Sequence, residues 1–256
     1  MTLFTSEMKM RNVVTKLAIL VACAMALSLF TASATPLPTC PNASSLATYI
    51  ATYGGSSGCQ IGDKIFSNFS YNGPSASGGG TAPSPSGITV DTINGTNSIF
   101  PGDIGLSFDG TWNAPSGATA DGNINFEVTV VNGANEMITD AGIVQSGGVT
   151  GNGLAEVTEN GCSGAVYPCT QTWGVVTVQS GQTNNFANDQ IFSPTGTISV
   201  TKDINVIGNN GTASITTVID VFSQTAVPEP RTVSLFLGLA LFGGLALRKK
   251  FQSARG

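Results

Sequence analysis

The sequence holds no histidine, and that absence decides most of what its side chains can do chemically. Ser-His-Asp hydrolysis, Cys-His catalysis and imidazole-ligated metal sites all need an imidazole, so all are excluded. Carboxylates remain. Asp103, Asp109, Asp121, Glu127 and Glu136 lie close along the chain, and two carboxyl groups can hydrolyse a glycoside when one serves as acid and the other as base or nucleophile. Nothing in the sequence marks two of these five as such a pair, and solvated strand or turn positions account for them more simply. Calcium is the other chemistry open to them. Asp121-Gly122-Asn123-Ile124-Asn125 begins like the D-x-N-x-N of a calcium loop, but Phe126 stands where the sixth-position glycine belongs and Asn132 where the twelfth-position acid belongs. The loop motif fails, a nonstandard calcium site stays open, and no residue is assigned as catalytic, cofactor-binding or metal-ligating.

Cysteines are the remaining reactive groups. Cys23 falls in an N-terminal apolar run, and the other four form two local pairs, Cys40 with Cys59 and Cys162 with Cys169. A C-x₆-C spacing without histidine is poor zinc chemistry. An even count in an exported chain reads as disulfides, and local pairing is expected among the three pairings that four cysteines allow. Export itself is read from the N-terminus. Lys9, Arg11 and Lys16 precede an apolar run over 17–30 and then Ala32-Ser33-Ala34, the order of a secretory signal peptide with signal peptidase cutting after Ala34.

The elements that must position these groups are mostly strands. One helix is expected, since Leu46, Tyr49, Ile50 and Tyr53 recur at helical spacing, with Asn42 or Ser44 as its cap and Gly54-Gly55 as its stop. Residues 123–131 alternate, with Ile124, Phe126, Val128 and Val130 on one face, and Asn132-Gly133 then leads to a second segment over 137–144. That pattern predicts a hairpin. A second hairpin is predicted where Ile198, Val200, Ile204 and Val206 share one parity, Asn210-Gly211 turns the chain, and Ala213, Ile215, Ile219 and Val221 share another. Further strands are expected over 61–71, 87–93, 103–112 and 173–179, with 72–86 as a Gly, Ser, Ala and Pro loop. Short strands separated by Gly, Asn and Pro turns predict a mainly β protein, an antiparallel β-sandwich with a jelly roll as one topology open to it.

Between residues 35 and 226 there are thirteen acidic residues and only Lys64 and Lys202 as cations, a net charge of −11. Such a surface repels phosphate backbones, so no nucleic-acid partner is expected.

The C-terminal stretch has its own logic. Val227-Pro228-Glu229-Pro230-Arg231 leads into an apolar run over 232–247, closed by Arg248, Lys249 and Lys250. Sixteen apolar residues rise about 24 Å as a helix against a hydrocarbon core of roughly 30 Å. The run therefore reads as a short transmembrane helix, with a buried helix and a plain tail anchor as competing readings, and the basic cluster stops transfer on the cytoplasmic side. This order resembles the PEP-CTERM sorting signal of Gram-negative bacteria, tails also catalogued under an ice-binding C-terminal label. No repeat or Thr-x-Thr ladder supports ice binding here. The resemblance implies an exosortase as partner, transient anchoring in the inner membrane, removal of the tail, and a cell-surface or extracellular destination alongside exopolysaccharide or biofilm. Upstream, Gly58-Cys59-Gln60-Ile61-Gly62-Asp63-Lys64 followed by Phe66-Ser67-Asn68-Phe69 resembles uncharacterised exported domains that accompany such tails. The expected organisation is a signal peptide over 1–34, an exported β-sandwich over 35–226 and a sorting signal over 227–256. The expected function is a non-catalytic surface or extracellular-matrix protein, with a carbohydrate-binding module as the alternative and a carboxylate-dependent glycosidase behind it.

Overall fold

In the computed structural model, alternation along the chain becomes two stacked antiparallel sheets. The structure describes residues 36–95, 99–131, 136–163, 173–180 and 184–226. The signal peptide, its Ala34 cleavage site, Cys169 and the whole sorting signal, with Val227, Pro228, Glu229, Pro230, Arg248, Lys249 and Lys250, lie outside these residues. From Leu37 on, the described residues belong to one compact unit. Among them no helix is long and apolar enough to cross a membrane.

In chain order the elements are β1 (Ser44–Ser45), α1 (Leu46–Tyr53), β2 (Cys59–Ile61), β3 (Lys64–Ser77), a 3₁₀ turn at Pro85–Gly87, β4 (Thr89–Asn94), β5 (Ile104–Ala114) and β6 (Thr119–Val130). Then follow β7 (Glu136–Thr150), β8 (Leu154–Ser163), β9 (Trp173–Ser180), β10 (Asn184–Asn185), β11 (Ala187–Thr195), β12 (Thr197–Ile207) and β13 (Thr212–Ala226). One sheet runs β1-β4-β5-β13-β7-β11 and the other β10-β9-β8-β12-β6-β3-β2.

Both predicted hairpins are corrected by this topology. β6 pairs with β3 and β12, whereas β7 pairs with β13 and β11, so the chain crosses from one sheet to the other after Val131. β12 and β13 are likewise in opposite sheets, and Asn210-Gly211 bridges them. The reason is burial. Each of these strands has one largely apolar face, and turning into the facing sheet covers it with the next strand's apolar face.

Parity along β13 is corrected too. Its pairing with β5 and β7 shifts between Ile215 and Thr217, a bulge that places an extra residue and reverses the alternation. Ala213 and Ile215 face inward before it, Val218 and Phe222 join the core cluster after it, and Ile219 is only half-buried. β3 has the same device. Asn68 adopts φ 57° where the register with β6 shifts between Ser67 and Ser70, so Phe66 and Phe69 both enter the core. β3 also runs on to Ser77, through the first six residues of the segment expected as a loop.

The core is aromatic at its centre. Phe126 lies 6.3 Å from Phe66, 5.6 Å from Phe69, 5.8 Å from Phe108 and 6.2 Å from Phe222, ring centre to ring centre. The helix closes one end of this cluster, because Tyr49 packs edge-on against Phe69 at 5.0 Å. Its cap is Ser45, whose hydroxyl accepts from the Thr48 amide at 3.2 Å, in place of the predicted Asn42 or Ser44. The Asn42 side chain instead accepts from the Thr92 amide at 2.8 Å, tying the approach to α1 onto β4. Cys40 and Cys59 form the expected disulfide, with Cα atoms 4.7 Å apart, and fix the segment before α1 to β2. Cys162, near the end of β8, is also disulfide-bonded.

Candidate functional site

The outer face of the seven-stranded sheet carries a row of polar side chains whose positions are set by strand alternation. On β6 the inward residues Ile124, Phe126 and Val128 leave Asp121, Asn123, Asn125 and Glu127 pointing outward. β3 lies on one side in register, with Asn72 opposite Asn123 and Ser75 opposite Asp121. β12 lies on the other side, with Asp203 opposite Asn123 and Asn205 opposite Asp121. Asn72, Gly73, Ser75, Asp121, Asn123 and Asp203 thereby line one shallow groove of about 520 Å³. A second, smaller hollow of about 220 Å³ lies further along the same face, bounded by Asn68, Ser70, Asn125, Glu127 and Ser199.

The groove is electrostatically one-sided. Asp203 is held above the usual carboxylate range by partial burial and by the neighbouring charges of Asp121 and of Glu156 from β8. Ser75 donates to Asp121 Oδ1 at 3.2 Å, and Asn125 donates to the Ser70 hydroxyl at 3.3 Å. Both lysines of the described chain are buried, Lys64 and Lys202, so no cationic side chain among the described residues reaches this face. What it offers is a row of short hydroxyl, amide and carboxylate groups at strand spacing, suited to a ligand that is itself rich in hydroxyls. Aromatic platforms do not contribute among the described residues. Trp112 and Trp173 are buried, and the exposed Phe186 is on the segment between β10 and β11, at the far edge of the sheet.

The five carboxylates singled out from the sequence are dispersed. Asp121 lines the groove and Glu127 the smaller hollow. Asp109, on β5 of the other sheet, accepts from Thr217 at 2.6 Å. Glu136 begins β7 and accepts from Gln224, which also donates to Asp63. Asp103 precedes β5, and its carboxyl is pushed up to about 6 by burial and by the charges of Asp140 and Asp189, against a smaller opposing pull from Lys64. The D-x-N-x-N run is regular strand in β6, which puts its oxygens in one outward row and forms no calcium loop. No cluster of three or more acidic or cysteine side chains arranged around a metal position occurs among the described residues.

Asn72, Ser75 and Asp203 are groove residues that sequence reasoning missed, as it missed the charge that Glu156 on β8 places near Asp203. The inward parity of Ile198, Val200, Ile204 and Val206 already implied an outward Asp203, but its partnership with Asp121 required the pairing of β12 with β6.

No family model matches the chain, and no curated protein matches it. Among solved structures, TmCBM61 in complex with β-1,4-galactotriose aligns at 14% identity over 62% of this chain and 88% of that one, with a TM-score of 0.30. A family 11 carbohydrate-binding module from Clostridium thermocellum, in complex with a β-1,3-1,4-mixed-linked tetrasaccharide, aligns at 10% identity over 60% and 88%, with a TM-score of 0.21. The enzymatically active domain of tailspike protein 4 from bacteriophage CBA120 aligns at 13% identity over 61% of this chain and 20% of that one, with a TM-score of 0.28. At these identities and TM-scores the likeness carries no argument about ligand or activity.

Proposed function

We propose that residues 35–226 form a non-catalytic, exported surface or matrix domain that binds a neutral glycan on the outer face of the seven-stranded sheet, and that residues 227–256 deliver it through an exosortase. The observation that supports the ligand is the convergence of Asn72, Ser75, Asp121, Asn123 and Asp203 from three adjacent strands on one groove. Vicinal sugar hydroxyls present paired donors and acceptors at the spacing of such side chains, and a carboxylate accepts two hydroxyls at once. An anionic ligand would meet Asp121, Asp203 and Glu156 with no exposed cation among the described residues to offset them. The sorting half rests on Pro228-Glu229-Pro230, the apolar run and the basic cluster of the sequence.

A glycan array probed with residues 35–226 tests the binding reading, with Asp203→Ala and Asn123→Ala as variants. The wild-type domain is expected to retain at least one neutral polysaccharide, and both variants to release it. Retention of nothing, or equal retention by all three proteins, would remove the groove as the site. The glycosidase reading has one observation in its favour, the raised Asp203 carboxyl beside Asp121 and Glu156. Cleavage of the retained glycan by the wild type, lost in Asp203→Asn, would decide for it.

A further inference from the structure

Three ionisable side chains meet in the middle of the sandwich, where none is expected. Lys202 on β12, Glu159 on β8 and Asp220 on β13 are each wholly inaccessible to solvent. Lys202 and Glu159 are register partners in the seven-stranded sheet, and Asp220 reaches them from the six-stranded sheet. The Lys202 Nζ donates to Glu159 Oε2 and lies 3.2 Å from Asp220 Oδ2. Their inward neighbours are apolar: Val200 and Ile204 beside Lys202, Val157 beside Glu159, Val218 and Phe222 beside Asp220.

As a purely structural ion cluster this arrangement is poor. With both acids ionised, two carboxylates against one ammonium would leave an excess charge in a medium that solvates it badly. Glu159 Oε1 and both Asp220 oxygens accept no well-aligned hydrogen bond among the described residues. The nearby buried Gln145 and Thr177 behave differently. Thr177 donates to Gln145, which donates to the Ala155 carbonyl, both at 3.2 Å. The fold thus completes one buried polar pair and leaves the other charged and under-bonded. Burial, and then the Glu159 charge, hold the Asp220 carboxyl well above its usual range, the direction that favours its neutral form. For Lys202, burial works against the charged form, but the two carboxylates outweigh it and raise its pKa.

We propose that Lys202 and Asp220 are the two halves of an intramolecular amide cross-link between the sheets, with Glu159 as the proton carrier. The Glu159 carboxylate takes a proton from the Lys202 ammonium, freeing the amine lone pair. Nζ attacks Cγ of the neutral Asp220 carboxyl, and a C–N bond forms. The nitrogen gives up a further proton as the C–O bond to the hydroxyl breaks, and that hydroxyl leaves as water. One amide, one neutral Glu159 and one water are the products, with no oxidant, reductant or cofactor. Contact at 3.2 Å inside a rigid core supplies the proximity that free amine and acid lack in water, and expulsion of water from an apolar core keeps the amide from being hydrolysed. The acceptor is Asp220 in preference to Glu159 because Glu159 is the acid hydrogen-bonded to the amine as its base, while the Asp220 carboxyl faces Nζ at 3.2 Å with neither oxygen held by another well-aligned hydrogen bond among the described residues.

The test is peptide mapping of the full-length wild-type protein, reduced, digested with pepsin and sequenced by tandem mass spectrometry, its native fold checked by circular dichroism. A branched peptide joining the Lys202 and Asp220 segments, lighter by one water than the two combined, is the expected result. Asp220→Asn should give the same branch with loss of ammonia, and Glu159→Gln should give only linear peptides. Linear Lys202 and Asp220 peptides at full mass from folded wild type would overturn the proposal, whether or not the variants fold. A branch through Glu159 would overturn it equally.

Discussion

Replacing Phe126 with alanine should remove more stability than any other single truncation in the domain, because its ring meets four aromatic neighbours from both sheets. Phe66 and Phe69 come from β3 at one side, Phe108 and Phe222 from β5 and β13 across the core, and Phe126 itself is 2% exposed. Truncating a buried phenylalanine costs about 3–5 kcal/mol when the cavity cannot collapse. Collapse is hindered here, since the surrounding rings are held by strands on both sides. Each kcal/mol shifts the melting temperature of a domain of this size by about 2–4 °C, so the midpoint should fall by roughly 6–20 °C. Thermal unfolding of the disulfide-intact domain, followed by near-ultraviolet circular dichroism, measures it. Phe186→Ala is the internal control, because that ring is 45% exposed and surface truncations stay within about 0.5 kcal/mol. A fall of less than about 3 °C in Phe126→Ala, or an equal fall in Phe186→Ala, would show that the aromatic cluster is not what joins the sheets.

Three further outcomes are expected. Cys59→Ala opens the disulfide to Cys40 and should cost about 3 kcal/mol through the loop it closes, with earlier proteolysis ahead of α1 as the local readout. The Asp103 carboxyl, raised to about 6, favours the folded state when protonated, so its contribution is full below the unfolded carboxylate pKa of about 3.9 and is lost as pH rises through about 6. Asp103→Asn should therefore flatten the slope of chemical stability against pH across that window, and an unchanged slope would contradict the assigned burial. In a host with a working exosortase, Glu229→Ala should leave membrane insertion intact and block release of the ectodomain, since insertion depends on the apolar run and orientation on Arg248, Lys249 and Lys250; equal processing of both proteins, seen by blotting membrane and medium fractions, would leave a plain anchor.

Sequence alone determined which residues face inward wherever a segment alternates without interruption. Ile124, Phe126, Val128 and Val130 on β6, and Ile198, Val200, Ile204 and Val206 on β12, are buried as their parity requires, because side-chain direction in a strand is a local property of the backbone. Helix α1 and the Cys40–Cys59 bridge were legible for the same reason, being contacts between near neighbours in the chain. Which strand lies beside which was decided by tertiary structure. An Asn-Gly turn specifies only that the chain reverses, and the largely apolar faces it connects were better covered by crossing to the facing sheet than by pairing edge to edge. Bulges at Asn68 and near Thr216 then turned local parity around, admitting Phe69 and Phe222 to the core. The candidate groove needed both levels: alternation sent Asp121, Asn123 and Asp203 outward, and the β3, β6 and β12 register set them side by side. Lys202 shares the inward parity of Val200 and Ile204, but its meeting with Glu159 and Asp220 was not legible in the sequence, since residues of these types are nearly always solvated and only the stacking of two sheets brings an acid from β13 against an amine on β12.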